Sequence, residues 1–156
     1  MRHFNRVIFV DGENTCRSIM AEVILRQVRD AMQTKDWSSI ISRGLAVLFP
    51  EPPNPKAVAI VKSHGLKVDR TNSVLFTEEE CGEDTLVLTM TEREKKQIIA
   101  DYTAVPNLYT LREFAGEPGD IEEPYGKSLA EYGALYEYLD LMVKMAAQKL
   151  LKEDEE

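Results

Sequence analysis

Val7-Ile8-Phe9-Val10-Asp11-Gly12-Glu13-Asn14-Thr15-Cys16-Arg17-Ser18-Ile19-Met20-Ala21-Glu22 changes its pattern twice within sixteen residues. The apolar, β-branched run Arg6–Val10 reads as a strand buried on both faces, as in a parallel sheet. Asp11 to Thr15 is a polar turn. From Cys16 onward, Ala21, Ile24, Leu25, Val28 and Met32 recur at three- and four-residue steps, which predicts an amphipathic helix. A strand that turns sharply into a helix turns several backbone N–H groups outward. Together with the helix N-terminus they favour an anion. Arg17 stands where the helix begins, and a guanidinium there can grip two phosphate oxygens at once. Ser18 offers a hydroxyl beside it. On these residues alone, a plain strand–helix turn with Arg17 in a surface ion pair stays open as the alternative.

The rest of the chain repeats the alternation. A strand is expected near Ser38–Ser42 and another at Thr85–Met90, with a last one at Asn107–Leu111. Asn72–Phe76 is expected to be extended. Asn54-Pro55 reads as an N-cap followed by proline at the first helical position, opening a helix that carries Ala57, Val58, Ile60 and Val61 to Gly65. Thr91 with Glu94, and Ser128 with Glu131, have the spacing of capping boxes. The second opens a long helix with Leu129, Tyr132, Leu135, Leu139, Met142 and Leu150 inward. Gly44–Pro53 and Gly116–Gly126 read as loops. Strands alternating with helices predict an α/β fold of three layers, a four-stranded parallel sheet with helices on both faces. Ligands of such sheets sit at the carboxyl ends of strands, where the Asp11–Ser18 loop falls, between the first strand and first helix.

The length of 156 residues fits one domain, residues 1–151, followed by an acidic tail, Lys152–Glu156, expected to be frayed and solvated. No apolar run spans a bilayer and no signal peptide is read, so a cytoplasmic protein is expected. The net charge of -8 argues against nucleic acid and anionic membrane as partners, since both bind basic surfaces. A local cradle can still bind a small anion. Cys16 and Cys81 do not make a disulfide framework. Neither His3 nor His64 lies in a metal-ligand spacing, so no metal and no cofactor is expected.

The segment Val7–Glu22 resembles the signature of the low-molecular-weight protein tyrosine phosphatases, V-C-x-G-N-x-C-R-S-P-M-A-E. Asn14, Cys16, Arg17, Ser18, Met20, Ala21 and Glu22 match in register. Glu122-Glu123-Pro124-Tyr125-Gly126 resembles the family's general-acid loop, P-D-P-Y/F-G. Ser42-Arg43-Gly44 with Glu51–Ala57 resembles the variable loop and second helix, and Leu88–Thr91 the strand that ends in methionine. The resemblance thus covers nearly the whole chain. It implies a phosphate-binding loop of Gly12, Glu13, Asn14, Thr15, Cys16, Arg17 and Ser18, with Phe49 and Tyr125 as substrate walls. It also implies a phosphorylated protein or a small phosphomonoester as partner. The oligomeric state is left open.

In that family a cysteine thiolate attacks phosphorus, and an aspartate protonates the leaving group and then helps water attack the intermediate. Here Asp11 stands in the nucleophile's place, Glu13 in that of a loop glycine, and Glu123 in that of the general acid. A carboxylate is a weak nucleophile, and with an ordinary Asp pKa near ~3.9 it would be charged and would repel a phosphate. The family's second cysteine survives as Cys16, but its disulfide partner does not. The expected protein therefore recognises phosphate but has lost or impaired its thiol chemistry. The alternative is a phosphomonoesterase that uses Asp11, or a metal held by Asp11, Glu13, Asp120, Glu122 and Glu123.

Overall fold

The structure, a computed structural model, describes residues 3–124 and 126–155. The opening apolar run forms strand β1, Arg6–Asp11, in which Val7, Ile8, Phe9 and Val10 are wholly buried. It pairs in parallel with β2 (Ser39–Gly44) on one side and with β3 (Thr85–Thr89) on the other. β3 pairs in parallel with β4 (Leu108–Thr110), giving the order β2-β1-β3-β4. In register, Phe9 lies between Ser42 and Leu88, and Asp11 lies opposite Gly44. β1 is thus central, and chain order reverses beside it, which opens a crevice at its carboxyl end.

Alternation along the strands separates two cores. Val7, Phe9, Ile40, Leu86 and Leu88 pack against α1 (Arg17–Met32), α2 (Pro55–Ser63), α4 (Leu111–Phe114) and α5 (Leu129–Glu155). Ile8, Val10 and Val87 pack against Ile98 of α3 (Glu92–Asp101) and against Phe76. The molecule therefore has three layers, with helices on both faces of a four-stranded parallel sheet, as the alternating sequence predicts.

Local signals account for the helix starts. Asn54 caps α2, its Oδ1 accepting from Lys56 N at 2.9 Å and Ala57 N at 3.4 Å, with Pro55 next. Thr91 and Glu94 close a capping box on α3, and Ser128 and Glu131 exchange the equivalent bonds before α5. Gly65 takes φ 77° just beyond α2, a conformation open to glycine.

Some expectations are corrected. The last strand ends at Thr110, and Leu111 begins a short helix in place of continuing the strand. Thr110 and Glu113 form a capping box there, and the backbone turns with it. Met32 and Leu129 end their apolar stripes in solvent, at 45% and 50% exposure, because each lies in the terminal turn of its helix. Asn72–Phe76 contributes only a bridge, from Leu75 to Gly44. Helix α5 spans Leu129–Glu155. No helix among the described residues is long and apolar enough to cross a membrane.

Candidate phosphate-binding site

β1 ends in Asp11, and the chain must turn through 12–16 to start α1. Asn14 makes that turn with φ 59°, the left-handed region that asparagine tolerates. Its side chain ties the loop down from inside. Nδ2 donates to Ser18 Oγ at 2.9 Å and to Ser42 Oγ at 3.1 Å, while Oδ1 accepts from Val74 N at 2.9 Å. Ser42 Oγ passes its own hydrogen to Glu22 at 2.7 Å, and Arg70 donates to Ser42 Oγ and approaches Glu22. Loop carbonyls are held too: Gly12 O accepts from Ala46 N at 2.8 Å, and Thr15 O accepts from Asn54 N at 2.8 Å.

Within this turn, Asp11 is 1% exposed, and its two carboxylate oxygens take separate amides. Oδ1 accepts from Asn14 N at 2.7 Å, and Oδ2 accepts from Ser18 N at 2.9 Å. Ser18 is the second residue of α1, whose N-cap position, Cys16, supplies no side-chain cap. The strand's own carboxylate therefore acts as the helix cap, and the N-terminal dipole favours its charge. Burial pushes the Asp11 carboxyl up from its ordinary range. The positive charge of Arg17 and the amides of Ser18 and Asn14 pull against that rise.

Arg17 is buried, and it is shared. Nε donates to Glu123 Oε2 at 2.7 Å, Nη1 to the Ile121 carbonyl at 2.8 Å, and Nη2 to Glu94 Oε2 at 3.2 Å. Burial raises the carboxyls of Glu94 and Glu123, with Arg17 opposing in each case. One guanidinium thus serves three acids, buried Asp11 and Glu94 and half-buried Glu123. Cys16 is wholly buried, and burial, with Glu123 beside it, drives its thiol well above the ordinary range. Its thiolate is therefore scarce, which speaks against Cys16 as a substitute nucleophile. Cys81 is half-buried, and burial and Glu80 push its pKa up to about 11.

Asp11, Asn14, Arg17, Ser18 and Glu123 are brought together. Gly12, Glu13 and Thr15 lie on the rim, and Glu13 is exposed. Phe49 is 76% exposed and borders a cavity shared with Glu13 and Glu51. Tyr125 lies outside the described residues. Asp120 turns away to cap α3, accepting from Glu92 N at 2.8 Å. Among the described residues no three His, Cys, Asp or Glu side chains gather to hold a metal ion. The five acids named from the sequence therefore do not form one cluster, and Arg17 stands beside Asp11 and Glu123. Glu94 and the Ile121 carbonyl are site groups that the sequence reading missed. Glu94 was visible only as a capping residue, and a backbone carbonyl carries no side-chain signal.

A parallel α/β sheet whose first strand turns through a tight loop into a helix that opens on an arginine frames this candidate site. The sequence model of the low molecular weight phosphotyrosine protein phosphatase family matches residues 6–156, and the chain belongs to that family. The low molecular weight protein-tyrosine-phosphatase PtpB of Staphylococcus haemolyticus is 35% identical over 134 residues, which is 86% of this chain and 91% of that protein. The crystal structure of a low molecular weight protein tyrosine phosphatase from T. tengcongensis superposes with a TM-score of 0.86 at 33% identity, covering 93% of this chain and 99% of that one. A YwlE arginine phosphatase variant with a phosphorylated active-site serine gives a TM-score of 0.85 at 28% identity, covering 94% and 96%.

Proposed function

We propose that this chain is a phosphate-recognising member of its family in which thiol-based dephosphorylation is lost. The observation that carries the reading is the bonding of Asp11. Where the family has its nucleophile, both oxygens of a buried carboxylate accept backbone amides, so the chain's own anion fills the floor of the cradle. Such a group is a weak nucleophile, its charge is drawn toward two amides, and it opposes a phosphate. Buried Cys16 is no replacement nucleophile, and Arg17 is held by Glu123, Glu94 and Ile121. The ligand would be a phosphorylated protein side chain, tyrosine or arginine, or a small phosphomonoester, entering over the loop rim and recruiting Arg17.

Hydrolysis of p-nitrophenyl phosphate tests this, with the wild type beside Asp11→Cys, each with and without Mg²⁺ or Mn²⁺. A silent wild type and an active Asp11→Cys are expected. Wild-type turnover that vanishes in Asp11→Asn would overturn the proposal.

A second reading keeps Asp11 as a nucleophile and forms an aspartyl phosphate. The YwlE variant with a phosphorylated active-site serine favours it, since the phosphoryl group there rests on an oxygen. The two amide bonds of Asp11 weigh against it, because they draw charge from both oxygens and fix the carboxylate in place.

A further inference from the structure

A cavity of about 590 Å³ lies between α5 and the segment 120–124, and no residue of the loop 11–18 lines it. Its volume is that of a metabolite site. Ile121, Pro124, Leu135 and Tyr138 give it an apolar wall. Arg112 of α4 lines it as well, and the fold makes room for that side chain. Gly119 takes φ 109°, and a β-carbon there would collide with Arg112 Nη1. The guanidinium lies over the Tyr138 ring, 5.3 Å from its centre.

That guanidinium holds almost nothing. Nη1 reaches only the Asp120 carbonyl, at 3.5 Å. Nε is buried without an acceptor, Nη2 has none among the described residues, and Arg112 forms no ion pair with any of them. Nε and Nη2 make the edge on which a guanidinium takes a carboxylate through two parallel bonds. A buried N–H left unpaired is costly, so an oxyanion at this edge is favoured. The acids around the cavity are committed elsewhere or sit at its rim. Glu123 Oε2 accepts from Arg17, Asp120 Oδ1 from Glu92 N, and Glu131 Oε1 from Ser128 N. Glu122 and Lys127, both exposed, offset each other at the rim. These acids also decide the charge of the ligand. A phosphate dianion would be repelled by them twice over, whereas a single carboxylate is matched by Arg112.

We propose that this cavity binds a small organic monocarboxylate with an apolar body, its carboxylate on the Nε–Nη2 edge of Arg112. The cavity shares a wall with the clamp on Arg17, since the Ile121 carbonyl and Glu123 Oε2 accept from Arg17 at 2.8 Å and 2.7 Å. A ligand packed on Ile121 and Glu123 selects the arrangement that holds Arg17. By linkage it opposes any ligand that must recruit Arg17. That opposition rests on the proposed phosphate recognition. Binding in the cavity does not.

An NMR titration of the full chain with 2-naphthoate tests it, beside 2-naphthylmethylamine, whose charge is reversed. Saturable binding of the naphthoate, with shifts centred on Ile121, Leu135 and Tyr138, is expected, and none of the amine. Arg112→Gln should weaken the naphthoate roughly tenfold or more, and Arg112→Lys nearly as much, because the fork is lost even though the charge is kept. Ala134→Trp fills the cavity from an exposed position on α5, so it blocks binding in a folded protein whether or not Arg112→Gln folds. Absence of saturable binding, equal binding of the amine, or indifference to both Arg112→Gln and Ala134→Trp would overturn the proposal. With naphthoate bound, the Arg17 Hε proton should exchange with water more slowly, and phenylphosphonate should bind a few-fold less tightly. Unchanged Arg17 exchange sinks the link to the clamp. Phenylphosphonate that fails to bind with or without naphthoate counts against phosphate recognition and leaves the cavity site standing.

Discussion

Replacing Asp11 by serine removes one carboxylate from a cradle in which it accepts amides at 2.7 Å and 2.9 Å. A phosphoryl oxygen bound by the same amides would lie within about 4 Å of the carboxylate charge. At that separation, with an effective dielectric of about 20, two unit charges repel by roughly 4 kcal/mol. Each 1.4 kcal/mol or so is a decade, so lifting the repulsion raises anion affinity by nearly a thousandfold before compensation. Part of the gain is lost because Glu94 and Glu123 still compete for Arg17. An improvement of roughly a hundredfold is the working expectation. Calorimetric titration with phenylphosphonate, which cannot be hydrolysed, measures it at pH 7 in low and moderate salt. Asp11→Asn is the control. It removes the charge but turns an NH₂ group toward one of the two amides, so its gain is smaller. An Asp11→Ser protein that unfolds cooperatively yet binds phenylphosphonate no more tightly than wild type would refute the electrostatic argument and the idea of a filled cradle with it.

Three further outcomes follow from the same geometry. The carboxyls of Asp11, Glu94 and Glu123 have folded pKa values raised by burial, so their stabilising contribution is full below the unfolded carboxyl range and is lost as pH rises through the folded values. Glu123→Gln should therefore gain stability relative to wild type as pH rises from about 4 toward 7, read by urea unfolding at each pH. A β-carbon at Gly44 would stand 2.9 Å from Gly12 O and 3.0 Å from Asn14 Cβ, so Gly44→Ala must push on the loop itself. A loss of about 1–3 kcal/mol is expected, seen as a lowered urea midpoint. With its thiol near 11, Cys81 should react with iodoacetamide roughly a hundredfold more slowly than a free cysteine at pH 8. Cys16 should react later still, as followed by intact mass.

The amount of the molecule legible in advance differed from element to element. β1 and β3 were readable because they are buried on both faces and leave an unbroken apolar run. α2 and α3 announced their starts through Asn54-Pro55 and Thr91…Glu94. The order of the strands was not readable, since alternation requires parallel strands but does not say which lie side by side. Leu111 misled because an apolar residue after a strand reads as more strand. The box that turns it into a helix, Thr110 with Glu113, spans the same few residues. At the site, loop residues close in sequence were legible as a group, and so was Glu123 through its neighbours. Glu94 was hidden because the capping box accounts for one of its oxygens. The other meets Arg17 only after β3 has packed beside β1. The bonding of Asp11 was also out of reach, because the direction of two amides depends on the left-handed turn at Asn14.

An open anion cradle gains stability from its surroundings by mass action, and each tenfold excess of ligand over its dissociation constant adds about 1.4 kcal/mol. The Asp11 carboxylate is different, for it is joined to the chain and cannot be diluted away. The loop is held by its own carboxylate, and the thermal transition should rise only once inorganic phosphate exceeds a weakened apparent dissociation constant. A free anion gains entry only from the fraction of molecules in which Asp11 has let go, and its apparent dissociation constant is the intrinsic one divided by that fraction. Occupancy of this cradle is therefore governed by an opening equilibrium inside the protein, and a docked partner that stabilises the open loop would set the affinity for phosphate without touching it.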